Sequence, residues 1–207
     1  MTEPVRRWSA GFCLSVLAWI GALGGGIAIA WRYRVAPGPT TTAPVRWPDG
    51  SRLPRATDRP TVVQFLHPRC PCSRASLAEL GAVVEHAARR PAVVIVFLRP
   101  DGVPDEWVHT DRWRTAQRVL GATVVVDPGG AEMARFGART SGETMVYGAD
   151  GALRFAGGIT PGRGELGDSA GRRDLVAALD DGGGGKTPVF GCALADREGA
   201  TTPEHAP

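Results

Sequence analysis

Residues Ser9 to Trp31 form a stretch of 23 positions without a charge, SAGFCLSVLAWIGALGGGIAIAW. As a helix rising about 1.5 Å per residue it would reach roughly 34 Å, enough for a hydrocarbon core of about 30 Å. Trp8, Trp31 and Tyr33 stand at its ends like an aromatic belt. Arg6 and Arg7 precede it, and Arg32 and Arg34 follow it. Those four arginines less Glu3 account for the whole formal charge of +3, and the rest of the chain carries 20 basic and 20 acidic residues. Residues 1–34 are therefore expected to be an N-terminal membrane anchor. A buried core helix is one alternative. A signal peptide cleaved near Ala28-Ile29-Ala30 is another. The arginines flanking the run are balanced, so orientation rests on the short N-terminal segment staying inside. That places the remainder on the extracytoplasmic, periplasmic side of the cytoplasmic membrane. The neutral remainder lacks the cationic face that binding to nucleic acid requires.

Beyond the anchor, residues 35–60 (VAPGPTTTAPVRWPDGSRLPRATDRP) are rich in Pro, Thr and Arg without an apolar period, and read as a linker. A domain is expected over 61–181. Thr61–Leu66 and Val93–Leu98 are β-branched apolar runs of buried-strand type, and Thr123–Val126 is a third. Pro71 is placed to open a helix whose apolar face is Leu77, Leu80, Val84 and Ala87. Asp111–Leu120 reads as a helix, and a short one passes through Met133 and Phe136. Thr144–Tyr147 and Ala152–Phe155 flank Asp150-Gly151, a hairpin signal. Asp174–Leu179 lies in a last helix. Residues 182–207 begin with a glycine-rich break at Gly182–Gly185 and form a tail carrying Cys192. Strands alternating with helices and ending in a hairpin imply an α/β fold with a central mixed sheet.

Four cysteines divide as Cys13 in the apolar run and Cys70, Cys72 and Cys192 beyond it. Three cannot all pair within one domain, so one sulfur is left for exchange, a metal or a partner. Cys70-Pro71-Cys72 lies where a strand ends and a helix begins. Helix N-termini present free N–H groups and partial positive charge, which stabilise a thiolate and lower its pKa. Arg69, Arg74 and His67 would add to that field. Residues two apart on a helix do not face one another, so a Cys70–Cys72 disulfide needs a non-helical backbone and should be readily reduced. Either that bond is transient, or the two sulfurs serve another partner, for which Cys192 is the candidate. Gly191, just before it, allows tight passage against another segment.

The segments VVQFLHPRCPCS, VVVDPGGAEMARFGA and ETMVYGADGALRFAGG resemble membrane-anchored thioredoxin-like proteins of the TlpA/ResA kind, over about Thr61 to Asp181. HPRCPCS, GGIT at Gly157–Thr160 and the TPVFGC ending resemble, more narrowly, the proteins labelled RedB. The resemblance implies a three-layer thioredoxin-like fold, thiol–disulfide exchange with protein thiols and disulfides, and no organic cofactor. Cys70 would then be the exposed attacking thiolate, and Cys72 or Cys192 the resolving thiol. It also implies that the Gly-Cys tail returns to the active site. Three positions depart from the pattern. Ser73 stands where the second cysteine of Cys-x-x-Cys would fall. Gln64 replaces a buried acid. Gly142, followed by Glu143, replaces the proline that faces the cysteines. Gly142, Glu143 and Pro71 are thus the expected substrate-contacting residues, and the general-base position is either empty or taken by Glu143.

The rival readings are a copper-binding or metallocentre-assembly protein and a redox-inactive scaffold that kept the thioredoxin fold. Cys70, Cys72 and Cys192, with His67, could hold Cu(I), for which thiolates are suited. His86, His109, Asp101, Asp105 and Glu106 read as surface residues. GGITPGRGELGDSAG lacks the Gly-Lys-Ser/Thr ending of a phosphate loop.

Overall fold

The computed structural model describes residues 9–39, 41–180 and 183–194. It divides into two units, Met1–Ala36 and Pro37–Pro207. In the first, α1 (Ala10–Val35) begins at Ser9, whose hydroxyl accepts the Phe12 N–H at 3.3 Å. No residue of α1 is buried, and the helix is long and apolar enough to cross a membrane. A signal sequence would look the same. Arg6, Arg7 and Trp8 lie outside the described residues.

The second unit is built on β1 (Thr61–Leu66), α2 (Ser73–His86), β2 (Ala92–Arg99), α3 (Asp111–Ala116), β3 (Ala122–Pro128), α4 (Ala131–Phe136), β4 (Glu143–Tyr147), β5 (Leu153–Gly157) and α5 (Ala170–Leu179). The sheet order is β3-β2-β1-β4-β5. β1, β2 and β3 are parallel, joined by helical crossovers, whereas β4 and β5 run antiparallel as a hairpin. Strand side chains alternate between faces, and both faces are covered. Val62, Leu66, Val93, Ile95 and Phe97 pack with Leu77 and Leu80 of α2 and Leu175 and Leu179 of α5. Val63, Phe65, Val96 and Tyr147 pack with Met133 and Phe136 of α4. Each such side chain, fully buried, contributes about 1.5–3 kcal/mol.

Two helix boundaries and the expected linker differ from the sequence reading. Pro71 does not open α2, which begins at Ser73 with Cys72 as its N-cap residue. Residues 70–72 form tight turns instead, with Ser73 N–H on the Cys70 carbonyl (3.2 Å) and Arg74 N–H on that of Pro71 (3.4 Å). α3 stops at Ala116 and tightens into i→i+3 turns, Arg118 N–H to Thr115 O and Val119 N–H to Ala116 O, ahead of Gly121 at φ +70°. Residues 37–60 are part of the folded unit rather than a linker. Trp47 packs edge-on against Phe136 and Tyr147 at 5.1 and 5.3 Å, and Leu53 is buried. Tyr147 donates its hydroxyl hydrogen to the Pro44 carbonyl, and Ser51 donates to Glu132. Ala43, Trp47 and Leu53 of this stretch join the cluster on the α4 face of the sheet, while Val45 stays exposed.

The tail is likewise ordered where it is described. Gly184 passes so close to β5 that a Cβ there would lie 2.4 Å from the Arg154 carbonyl oxygen. Lys186 bridges to Ala156, and Thr187 crosses Gly157, where a Cβ would meet its hydroxyl at 2.2 Å. The GGIT glycines thus make room for the tail. Gly182 and the polar end beyond Leu194, including His205, lie outside the described residues.

Candidate functional site

β1 ends at Leu66, and the next six residues carry the chain to the start of α2. Their turn is held from both sides. The Cys70 N–H donates to the His67 carbonyl at 3.2 Å, and Arg112 of α3 donates through Nε to the Cys70 carbonyl at 2.8 Å. Ser73, buried, donates to the His67 carbonyl at 3.1 Å and shares a 2.9 Å hydroxyl contact with Ser141. Ser141 Oγ in turn accepts the His67 N–H at 2.9 Å. The position that would hold a second cysteine in the common motif therefore carries a hydroxyl joining the cysteine turn to the loop before β4.

That loop brings in the third sulfur. The Ser141 N–H donates to the Cys192 carbonyl at 2.8 Å, the Leu194 N–H donates to the Arg139 carbonyl at 2.9 Å, and Thr140 and Ala193 form an antiparallel bridge. Gly191 makes this approach feasible, because a Cβ there would lie 1.9 Å from the Ser141 carbonyl oxygen. Arg163 donates to the Gly191 carbonyl and fastens the tail from the other side. As a result the Cys70, Cys72 and Cys192 sulfurs all lie within 4.8 Å of one another. No disulfide is present, and all three are free thiols.

The three sulfurs share charge unequally. The Cys70 thiol is lowered to about 5, chiefly because the Cys192 thiol donates to its sulfur and also through the N–H groups of Cys192, Cys72 and Ser73, against the opposing effect of burial. Burial and the adjacent Cys70 thiolate push the Cys72 thiol up. The hydrogen bond to Cys70, then burial, pushes Cys192 up. Arg163 favours the thiolate at both Cys72 and Cys192. The N–H groups at the start of α2 contribute as the sequence reading expected, but the foremost donor is the Cys192 thiol, and Arg69 is not among the causes. Arg69 lies over the Trp107 ring at 4.6 Å. Arg163 was not singled out in the sequence, since nothing in its glycine-rich surroundings marks it as a neighbour of the cysteines.

Exposure also runs against expectation. Cys70 is only 2% exposed and Cys72 7%, beneath the tail, while Cys192 is half-buried. Cys70 is not the exposed sulfur of the set. Among the described residues, the metal-capable cluster contains the three cysteines alone. His67 does not join it. Its Nδ1 accepts the Arg69 N–H at 3.1 Å, and its ring sits edge-on to Trp107.

Gly142 faces α2. It has φ +98°, donates its N–H to the Phe65 carbonyl at 2.9 Å, and would bring a Cβ to 2.6 Å from Ser76 Oγ. Glu143 projects to the opposite face of the sheet, where its carboxylate accepts the Arg139 N–H at 3.1 Å. Burial raises its pKa, and Thr41 and Arg139 act against that. It is therefore not the base of the cysteine site, because adjacent strand residues point to opposite faces. Gln64 lies buried beneath α2, donating to the Ser76 carbonyl at 3.3 Å and to Thr144 Oγ1 at 3.0 Å. His86 and His109 are exposed.

No protein-family model and no curated protein matches the chain. Solved structures do. An uncharacterized conserved protein from Geobacillus kaustophilus aligns with a TM-score of 0.57 at 17% identity, covering 80% of this chain and 94% of that one. A hypothetical protein from Sinorhizobium meliloti 1021 aligns at 0.55 and 19%, covering 77% and 94%. A secreted Mycobacterium tuberculosis disulfide oxidoreductase homologous to E. coli DsbE aligns at 0.41 and 18%, covering 59% and 81%. The mixed five-stranded sheet between helical layers is a thioredoxin-like fold.

Proposed function

We propose that the protein is a membrane-tethered thiol–disulfide oxidoreductase of thioredoxin type, acting outside the cytoplasm on protein thiols and disulfides. The observation that carries this reading is the cluster of three sulfurs within 4.8 Å, one of them held as a thiolate near neutral pH. Exchange needs a thiolate, a second sulfur within reach and a good leaving group. Cys70 meets the first and third requirements, and both Cys72 and Cys192 meet the second. α1 supports the tether, and a tethered domain with oxidisable cysteines suits an oxidising compartment. The likeness of HPRCPCS and TPVFGC to the RedB-labelled proteins is the narrower form of the same reading.

Mass-spectrometric mapping of air-oxidised full chain in detergent tests it. One intrachain disulfide among Cys70, Cys72 and Cys192, reduced by dithiothreitol, is expected. Three thiols that stay unpaired and do not exchange would overturn it.

The same cluster supports a second reading, in which the three cysteines hold Cu(I) through sulfur alone, without His67 or Glu143. Copper content after purification under reducing conditions separates the two. About one equivalent, lost on Cys192→Ser, would favour the metal.

A further inference from the structure

Ser141 touches both segments that carry the sulfurs. Its side chain belongs to the cysteine turn. The Ser73 hydroxyl has one proton and gives it to the His67 carbonyl, which can only accept. The donor in the 2.9 Å contact between the two hydroxyls is therefore Ser141. Ser141 Oγ also accepts the His67 N–H, and this closes a ring that runs from His67 N–H through Ser141 and Ser73 to the His67 carbonyl. Both serines are fully buried, so removing either hydroxyl leaves buried polar groups without a partner.

The backbone of Ser141 belongs to the tail. Its N–H donates to the Cys192 carbonyl at 2.8 Å, and its carbonyl oxygen is the atom that a Cβ on Gly191 would strike. Thr140, just before it, pairs with Ala193. The hydroxyl ring fixes the orientation of Ser141, and Ser141 fixes where the Cys192 backbone lies.

The Cys72 and Cys192 thiols both reach the Cys70 sulfur. What holds them differs. Cys72 is the N-cap residue of α2, and its carbonyl accepts the Ala75 and Ser76 N–H groups at 3.1 and 3.4 Å. The Cys70 carbonyl accepts from Ser73 N–H and Arg112. Closing Cys70 on Cys72 would twist two residues already tied into the start of the helix, since a disulfide tolerates little deviation in geometry. Closing it on Cys192 joins two segments that Ser141 already holds side by side. Resting on the thiol–disulfide reading, we infer that Ser141 is the positioning residue of the site: it seats Cys192 on Cys70, so that the disulfide formed in turnover is Cys70–Cys192 and Cys72 stays a thiol.

With a disulfide as substrate the step balances as follows. The Cys70 thiolate attacks one substrate sulfur, and the other leaves with the bonding pair. The Cys192 thiol gives its proton to that departing thiolate and attacks Cys70 Sγ. The Cys70–Cys192 bond forms, the mixed disulfide breaks, and the remaining substrate sulfur leaves as a thiolate. Two electrons pass from the cysteine pair to the substrate, which is released as one thiol and one thiolate.

The test uses the full chain in detergent, carrying Cys13→Ser to remove the sulfur of α1, with glutathione disulfide as the substrate. Samples equilibrated over a range of glutathione to glutathione disulfide ratios are quenched in acid, alkylated and mapped. Expected in this parent are a Cys70–Cys192 bond and Cys72 as a thiol. In Ser141→Ala the equilibrium constant for that bond should fall roughly three- to tenfold, the size of one lost hydrogen bond. A merely structural role would leave the thiolate titration where it was. The Cys70 midpoint, read by thiolate absorbance, should instead rise in Ser141→Ala as in Cys192→Ala, and the double variant should match Cys192→Ala alone. A Cys70–Cys72 bond in the parent overturns the pairing. An unchanged midpoint or an undiminished bond in Ser141→Ala, or a further rise in the double variant, overturns the positioning role. If Ser141→Ala does not melt cooperatively, Gly191→Ala decides, because it drives the tail off the Ser141 carbonyl and leaves the hydroxyl ring intact. The same loss of the Cys70–Cys192 bond is expected there, and an undiminished bond overturns the role. A parent that forms no disulfide and does not exchange with glutathione fails the thiol–disulfide reading itself.

Discussion

A thiolate needs a donor, and the main donor to Cys70 is another thiol. The Cys192 S–H is the foremost cause of the low Cys70 pKa, so Cys192→Ala should raise it from about 5 toward the ordinary thiol value. Thiolate absorbance against pH reads this directly, and an unchanged midpoint would return the credit to the backbone N–H groups. The same shift makes stability pH-dependent. Between about 5 and the ordinary value of 9.0, the unfolded chain holds a proton on Cys70 that the folded chain does not. Stability therefore rises with pH across that interval, is fully present above it, and is lost as pH falls through about 5. Cys72 and Cys192 are shifted upward, so their contribution has the opposite sign and appears above their ordinary value. In the reduced protein, the difference in melting temperature between wild type and Cys70→Ala should widen from pH 5 to pH 8. A constant difference would contradict the assigned thiolate.

The elements meeting at the site leave little freedom for substitution. β4 approaches α2 at Gly142, where φ +98° and the Ser76 hydroxyl both exclude a side chain. Proline, the residue the family pattern places here, would require φ near −65° and would abolish the N–H bond to Phe65. Gly142→Pro should therefore cost about 3 kcal/mol or more in chemical denaturation, and Gly142→Ala about 1–3 kcal/mol. Ser76→Ala should restore part of the alanine loss by removing the clashing oxygen, and a double variant no better than the single one would leave only the backbone strain. On the far face, Asp127 starts α4 by accepting the Glu132 and Met133 N–H groups at 3.0 and 2.9 Å. It serves as a helix cap supplied by the preceding strand, and Asp127→Ala should cost about 0.5–2 kcal/mol.

The folded unit begins at residue 37 rather than at the first strand. Its N-terminal strap supplies Trp47 and Leu53 to the α4 face, pairs Val45 and Trp47 with the β4–β5 turn, and bonds Gly38 to Val189 of the tail at 2.8 Å. Strap and tail thus hold each other over the same sheet. Residues 37–207 should melt cooperatively without α1. Residues 61–207 should not, because losing Trp47 alone from its contacts would cost on the order of 3 kcal/mol. Calorimetry of the two fragments decides. A shorter fragment with an undiminished melt would restore residues 35–60 to the status of a linker.

The strands were legible because buried parallel strands need uninterrupted β-branched runs, and VVQF and VVIVF offer no other use. The apolar run before Arg32 was legible for the same kind of reason, length without charge. Cys70-Pro71-Cys72 marked its own chemistry, and Gly191 disclosed a close backbone approach, since only glycine tolerates one. What local sequence could not contain was the pairing of parts far apart in it. Trp47 looks like a linker residue until the sheet offers it Phe136 and Tyr147. Ser73 looks like a missing cysteine until Ser141 arrives across 68 positions. Glu143 looks like a base until strand alternation turns it to the opposite face. Arg163 and the burial of Cys70 follow from where the tail settles. Residue type and spacing determined which chemistry was available. Only the tertiary structure decided which sulfur donates, which carries the charge and which meets solvent, because hydrogen bonding and burial are properties of neighbours in space.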